Sequence, residues 1–226
     1  MSTVFVAGAG TDVGKTHVAA ALIRRLRAAG RPVAALKPLV SGFDETDWAA
    51  SDPGRLLAAL GLPLTPGSLA ALSPWRYRAP LSPDMAAARE GSEIDVQAII
   101  ALCQREMAAD VDRPLLIEGV GGVMSPIAPD ATNLDWMRAL ACPVLLVGGS
   151  YLGAISHTLT AIEVIRAAGL SLAAVVISES AGGDAPFDET VDSLIRLSRA
   201  SIIGARRDGP EDDWTRSVLD LLGWRI

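Results

Sequence analysis

Along this chain, short runs of uninterrupted apolar residues alternate with longer stretches in which apolar and polar positions recur at helical spacing. Thr3–Gly8 (TVFVAG), Pro32–Lys37 (PVAALK), Arg113–Glu118 (RPLLIE), Pro143–Gly148 (PVLLVG), Leu172–Ser178 (LAAVVIS) and the short Ser201–Gly204 (SIIG) read as strands. Such near-continuous hydrophobicity is what a parallel sheet requires when helices cover both of its faces. Helical patterns near 15–29, 95–109, 131–140, 153–168 and 187–199 fall between these runs. The alternation predicts an α/β fold built on a doubly wound, mostly parallel sheet with right-handed crossovers. Sheets of this kind bind ligands beyond the carboxyl ends of their strands, so polar residues at those ends carry the most weight. Residues 38–94, rich in Pro, Gly and Ala, break the rhythm and read as active-site loops with short helices. No internal repeat or linker divides the chain.

A length of 226 residues at 50% hydrophobic content predicts one domain over 1–226 with a sizeable core. The formal net charge of −6, with no basic run, argues against nucleic acid or an anionic membrane as the main partner. Cys103 and Cys142 lack the spacing of a metal site or a disulfide framework and read as core fillers in a reducing compartment. No signal-peptide pattern precedes the first strand and no apolar run reaches the roughly 18 residues of a membrane span, so the expected location is the cytoplasm.

Chemistry concentrates in GAGTDVGKT, Gly8–Thr16, which follows an apolar strand and opens a helix. Backbone N–H groups and a helix N-terminus converge there as they do on a phosphate. Lys15 supplies a point charge to such an anion, and the Thr16 hydroxyl suits Mg²⁺. The loop has one residue more than the usual G-x-x-x-x-G-K-[ST], because Gly8 lies six positions before Gly14. Of 20 basic residues, only Lys15 and Lys37 are lysines. Arginine's planar fork serves exposed positions, whereas a slim ammonium enters a crowded phosphate site, so Lys37 at the end of the second strand joins Lys15 as a candidate. Glu118 ends the run LLIE, where a carboxylate can hold Mg²⁺ directly or through water. Asp52, followed by Pro53, is either a helix N-cap, a metal ligand, or both. Together these residues indicate NTP-dependent phosphoryl chemistry with a second cation aimed at the acceptor, and they leave the acceptor open.

At this point the chain resembles the dethiobiotin synthetases. That family's phosphate loop has the same extra residue. Its K-P-x-x-S-G corresponds to Lys37, Pro38, Ser41 and Gly42, its S-D to Ser51 and Asp52, its P-x-S-P to Pro80, Ser82 and Pro83, and its E-G-x-G-G to Glu118–Gly122. Pro143–His157 looks like the family's fourth strand and following helix. The resemblance implies a P-loop NTPase fold and conversion of 7,8-diaminopelargonic acid, CO₂ and MgATP to dethiobiotin, ADP and phosphate. It implies catalytic roles for Lys37 and Lys15, and nucleotide contacts by Asp12, Val13, Gly14, Thr16, His17, Asp52, Glu118, Gly119, Gly121, Ser178 and Arg207. It further implies substrate contacts by Thr11, Ser41 and Ser82, and a Mg²⁺ site at Thr16, Asp52 and Glu118. A homodimer is implied too, with Leu152, Gly153, Ala154 and Ser156 reaching the substrate's carboxylate in the other subunit. The chain departs from the family pattern in four places. Asp84 replaces a histidine, Ser156 an asparagine, and Ala205–Arg207 the last part of a G-x-I-P motif. Ser178 replaces an asparagine that reads adenine, and its single hydroxyl implies weaker discrimination among nucleoside triphosphates. An alternative reading, a partner-binding switch ATPase of the partitioning type, expects a signature lysine near the loop's start, where this chain has Gly8 and Ala9.

Overall fold

The computed structural model describes residues 2–182 and 185–226. Its main sheet has six parallel strands: β1 (Thr3–Gly8), β2 (Ala34–Leu36), β5 (Leu115–Glu118), β8 (Val144–Gly148), β9 (Leu172–Ser178) and β10 (Ile202–Ala205), in the spatial order β10-β9-β8-β1-β5-β2. Side chains of a strand alternate between faces, and β1 divides accordingly. Phe5 and Ala7 join one apolar layer with Ile117, Trp136, Ile162 and Leu194. Val4 and Val6 join the other with Leu22, Leu56, Leu116 and Trp214. Helices α5 (Val96–Ala109), α6 (Asn133–Leu140), α7 (Ala154–Ala167) and α8 (Phe187–Ser198) cover the first face, while α1 (Lys15–Ala28), α2 (Asp52–Leu60), α3 (Pro66–Leu72) and α9 (Glu211–Leu221) cover the second. Phe5 meets Trp136 edge to face with ring centres 5.1 Å apart. Cys103 and Cys142 are unpaired and buried, so they fill the core as expected.

The expected strands all form, with ends shifted by a residue or two. Lys37 falls just beyond β2 rather than closing it. Residues 38–94 hold α2, α3 and α4 (Pro83–Arg89), joined by a small parallel pair, β3 (Leu39–Ser41) with β4 (Trp75–Tyr77). A hairpin of β6 (Pro126–Ala128) and β7 (Ala131–Thr132) precedes α6 and takes up the start of the helix expected from 131. There Thr132 donates its backbone N–H to Asp135 Oδ2 at 2.9 Å, closing a capping box that fixes where α6 begins.

Helix α9 lies beyond the last expected element. Its signals are nonetheless local: three acidic residues in the first turn, which suit the helix dipole, and Trp214, Val218 and Leu219 at helical spacing. Those three are buried against α1, beside exposed ion pairs Arg24–Glu211 at 2.7 Å and Arg25–Asp212 at 3.1 Å.

Candidate active site

The phosphate loop is shaped by close backbone approaches. A Cβ on Gly8 would lie 2.7 Å from the carbonyl oxygens of both Gly10 and Gly121, and 3.0 Å from Lys15 Nζ. Gly14, the residue before α1, has φ +92°, a left-handed conformation that glycine adopts without steric cost. The first turn of α1 has no acidic residue and no side-chain cap, so its free N–H groups face the cleft. Lys15 curls back over the loop, its Nζ donating to Gly10 O at 3.2 Å.

The elements bring four charged groups together at the carboxyl ends of β1, β2 and β5. Glu118 Oε1 accepts from both the Thr16 hydroxyl and Lys37 Nζ, each at 2.6 Å. Lys37 Nζ also lies 3.2 Å from Asp52 Oδ2 and 3.4 Å from the Gly119 carbonyl oxygen. With only 2% of its surface exposed, Lys37 cannot be an ordinary solvated strand-end lysine. Asp52 is free to reach it because the cap of α2 is Ser51, whose hydroxyl accepts from Gly54 N–H at 3.2 Å. The choice left open by sequence is thus resolved against Asp52 as the N-cap: it stands at the first helical position with its carboxylate turned to the lysine.

Burial, then repulsion from Lys37, pulls the Lys15 ammonium down from 10.5 to about 8, against the attraction of Glu118, Asp52 and Asp12. Burial acts on Lys37 in the same direction, but Glu118 and Asp52 outweigh it and hold this lysine above its ordinary value. Partial burial would raise Asp52; Lys37 overcomes it, and the carboxyl sits below the usual range.

Mg²⁺ fits this donor set. Both donors on Glu118 use Oε1, so Oε2 is buried without a hydrogen-bond partner among the described residues. That orphaned carboxylate oxygen, the Thr16 hydroxyl and the Asp52 carboxylate are hard oxygen ligands of the kind Mg²⁺ prefers. Two lysines against two carboxylates leave the cluster close to neutral, and a bound triphosphate would need the additional cation.

Two adjoining clefts open on this cluster. The first, about 390 Å³, is lined by Asp12, Val13, Gly14, Lys15, Thr16, His17, Ser178 and Arg207, among others. The second, about 560 Å³, extends past Ser82 and Pro83. Thr11, Ser41, Asp52 and Gly121 belong to both. Gly119 borders neither and contributes its carbonyl oxygen to Lys37. Leu152, Gly153, Ala154 and Ser156 also stand outside both clefts: Leu152 is 91% exposed, whereas Ala154 is buried. Tyr151 hydrogen-bonds His157 Nδ1 at 2.8 Å instead of entering the cleft wall.

Arg55 and Glu179, which line the first cleft, are absent from the sequence expectations. Each had a local signal: Arg55 follows Asp52 by three residues on α2, and Glu179 stands just past the carboxyl end of β9. Asn133 had none. It is buried at the start of α6, and its amide donates to the carbonyls of Val120 and Gly122, tying down the loop between the clefts.

A sequence model of a family described as an AAA domain matches residues 2–205. Among solved structures, the MinC:MinD cell division complex of Aquifex aeolicus superposes with a TM-score of 0.56 over 96% of this chain and 86% of that one, at 12% identity, a likeness of fold alone. The curated ATP-dependent dethiobiotin synthetase of Phenylobacterium zucineum is 56% identical over 228 residues, covering 100% of this chain and 97% of the relative. That of Methylobacterium nodulans is 51% identical over 92% of this chain and 95% of the relative. Identity of this order over nearly full length makes the chain a member of the dethiobiotin synthetase family.

Proposed function

We propose that this chain uses ATP and CO₂ to close the ureido ring of dethiobiotin from 7,8-diaminopelargonic acid, the penultimate step of biotin synthesis. The single observation that carries the reading is the ion pair of Lys37, on the wall of the phosphate-loop cleft, with Asp52, which lines both that cleft and the second, larger one. Curated relatives named ATP-dependent dethiobiotin synthetase, similar over nearly the whole chain, support it. One amine of the substrate takes up CO₂ as a carbamate. A carbamate oxygen then forms a bond to the γ-phosphorus as the bond to ADP breaks. The second amine attacks the carbonyl of the resulting carbamic-phosphoric anhydride, phosphate leaves, and the ring closes with loss of an amine proton.

In this scheme the chain acts by positioning and by charge. Lys15 and the loop N–H groups from Asp12 to Thr16 balance the triphosphate, with His17, Gly119 and Gly121 beside it. Lys37 is set between carbamate and γ-phosphate by its two carboxylate partners. Thr11 and Ser41 hold the diamine end of the substrate, and Ser82 borders its path in the second cleft. Ser178 and Arg207 lie at the nucleoside end. Thr16, Asp52 and Glu118 would hold Mg²⁺, which when bound supplies charge neutralisation to the transferring phosphoryl group. A second copy of the chain would complete the site through Leu152–Ser156, in keeping with the exposure of Leu152. Incubation with diaminopelargonate, ATP, Mg²⁺ and labelled bicarbonate should yield labelled dethiobiotin. ATP turnover that ignores both amine and bicarbonate would sink the reading in favour of a switch ATPase.

A further inference from the structure

The first cleft contains an acid that the proposed reaction does not use. Lys37 and Glu118 lie on the β5–β2 side of β1, whereas Ser178, Glu179 and Arg207 lie on the opposite side, at the ends of β9 and β10. With the phosphate loop following β1 between them, a nucleotide whose γ-phosphate faces Lys37 extends its nucleoside towards β9 and β10. Glu179 is held there on both flanks. Its backbone N–H donates to Ala205 O at 3.0 Å. The next residue, Ser180, is locked to Ser150 by reciprocal bonds, each serine's hydroxyl accepting the other's backbone N–H at 3.0 Å. The side chain is anchored as well: Glu179 Oε2 accepts the backbone N–H of Arg207 at 2.9 Å. Oε1 makes no hydrogen bond among the described residues, so one fixed acceptor remains at the cleft wall.

We propose that Glu179 reads the base of the nucleotide by accepting a hydrogen bond from its exocyclic amino group, so that a 6-amino purine is selected over a 6-oxo purine. The inference rests on the first cleft taking the nucleoside triphosphate. ATP and ITP differ at this edge: adenine offers an amino donor at position 6, and hypoxanthine places a carbonyl oxygen there. A carboxylate oxygen satisfies the first and repels the second, and a mismatch of this kind is worth roughly 10- to 100-fold in affinity. Ser178 contributes one adaptable hydroxyl and does not impose this choice. The Arg207 guanidinium, also on the cleft wall, is a pure donor and would impose the opposite one.

The anchoring bond makes the test specific. In Glu179→Gln the amide oxygen can keep the Arg207 N–H, which turns the NH₂ group, a donor, towards the base. Titration calorimetry with MgATP and MgITP on the full chain should show wild type favouring ATP by roughly 10- to 100-fold. Glu179→Gln should shift the preference towards ITP, and Glu179→Ala should bring the two nucleotides to within about threefold. A merely structural glutamate would weaken both nucleotides together. Equal binding by wild type, a preference for ITP, or a ratio unchanged in both variants would overturn the proposal. A wild type that shows the ATP preference yet forms no dethiobiotin would refute the proposed reaction while leaving the role of Glu179 supported.

Discussion

Replacing Lys37 by arginine keeps the charge and changes only its shape, which makes it the sharpest probe of the site. Lys37 Nζ is fixed by Glu118 Oε1 at 2.6 Å and Asp52 Oδ2 at 3.2 Å, with the Gly119 carbonyl at 3.4 Å, and its side chain is 2% exposed. No room surrounds it for a planar guanidinium, which must either push Thr16 from Glu118 or project into the first cleft. Overpacking of this sort costs about 1–3 kcal/mol in stability. The loss of one well-placed charge contact to the transferring group costs roughly 10²–10³ in rate. Truncation to methionine would be less informative, since it strands the buried Glu118 without its cation, a change worth about 3–5 kcal/mol in stability alone. The assay is dethiobiotin formation at saturating ATP, alongside thermal unfolding. Arg196→Lys serves as control because Arg196 is exposed and, among the described residues, bonds only Ser193 at 2.9 Å; it should stay within about 0.5 kcal/mol of wild type. Arg24 is less suitable, being paired with Glu211. A Lys37→Arg enzyme with rates within about twofold of wild type would refute the role given to Lys37, since even one lost charge contact predicts far more.

Three further outcomes follow from the same geometry. Glu118→Gln should still fold, because Asp52 continues to face Lys37, but with a lowered unfolding temperature, weaker Mg²⁺ affinity and a rate reduced by roughly 10² or more; near-normal turnover at saturating Mg²⁺ would exclude Glu118 from the metal site. Gly8→Ala drives a Cβ to 2.7 Å from two backbone carbonyl oxygens that cannot step aside, so ATP KM should rise and stability should fall by about 1–3 kcal/mol, as read by kinetics and calorimetry. Burial pushes the Cys103 thiol up to about 12 and Cys142 up to about 11. Their folded values exceed the unfolded one, so the stability they contribute is complete below the ordinary value of 9 and is lost as pH rises towards 11–12. At pH 8.5 both thiols should resist iodoacetamide until the chain is unfolded, and rapid labelling of the native protein would contradict their placement in the core.

Neighbours along the chain govern everything in this protein that is legible without its fold. Runs such as TVFVAG and PVLLVG specify buried strands, Gly8 to Thr16 specifies a strand-to-helix phosphate turn, and the scarcity of lysine isolates Lys15 and Lys37. Helix α9 is equally legible, since its acidic first turn and apolar spacing are local. The site itself is a product of long-range packing. Lys37 meets Glu118 across 81 residues of sequence and Thr16 meets it across 102, and it is the β2-β5-β1 strand order that brings those ends side by side. Whether Asp52 caps its helix or faces the lysine depended on Ser51 taking the cap, a competition between adjacent residues with similar propensity. Glu179 gained its fixed orientation from a backbone N–H 28 residues away. Local periodicity records burial and helical or extended geometry. The direction of one carboxylate oxygen depends on which distant donors the fold delivers to it, and no pattern along the chain encodes that.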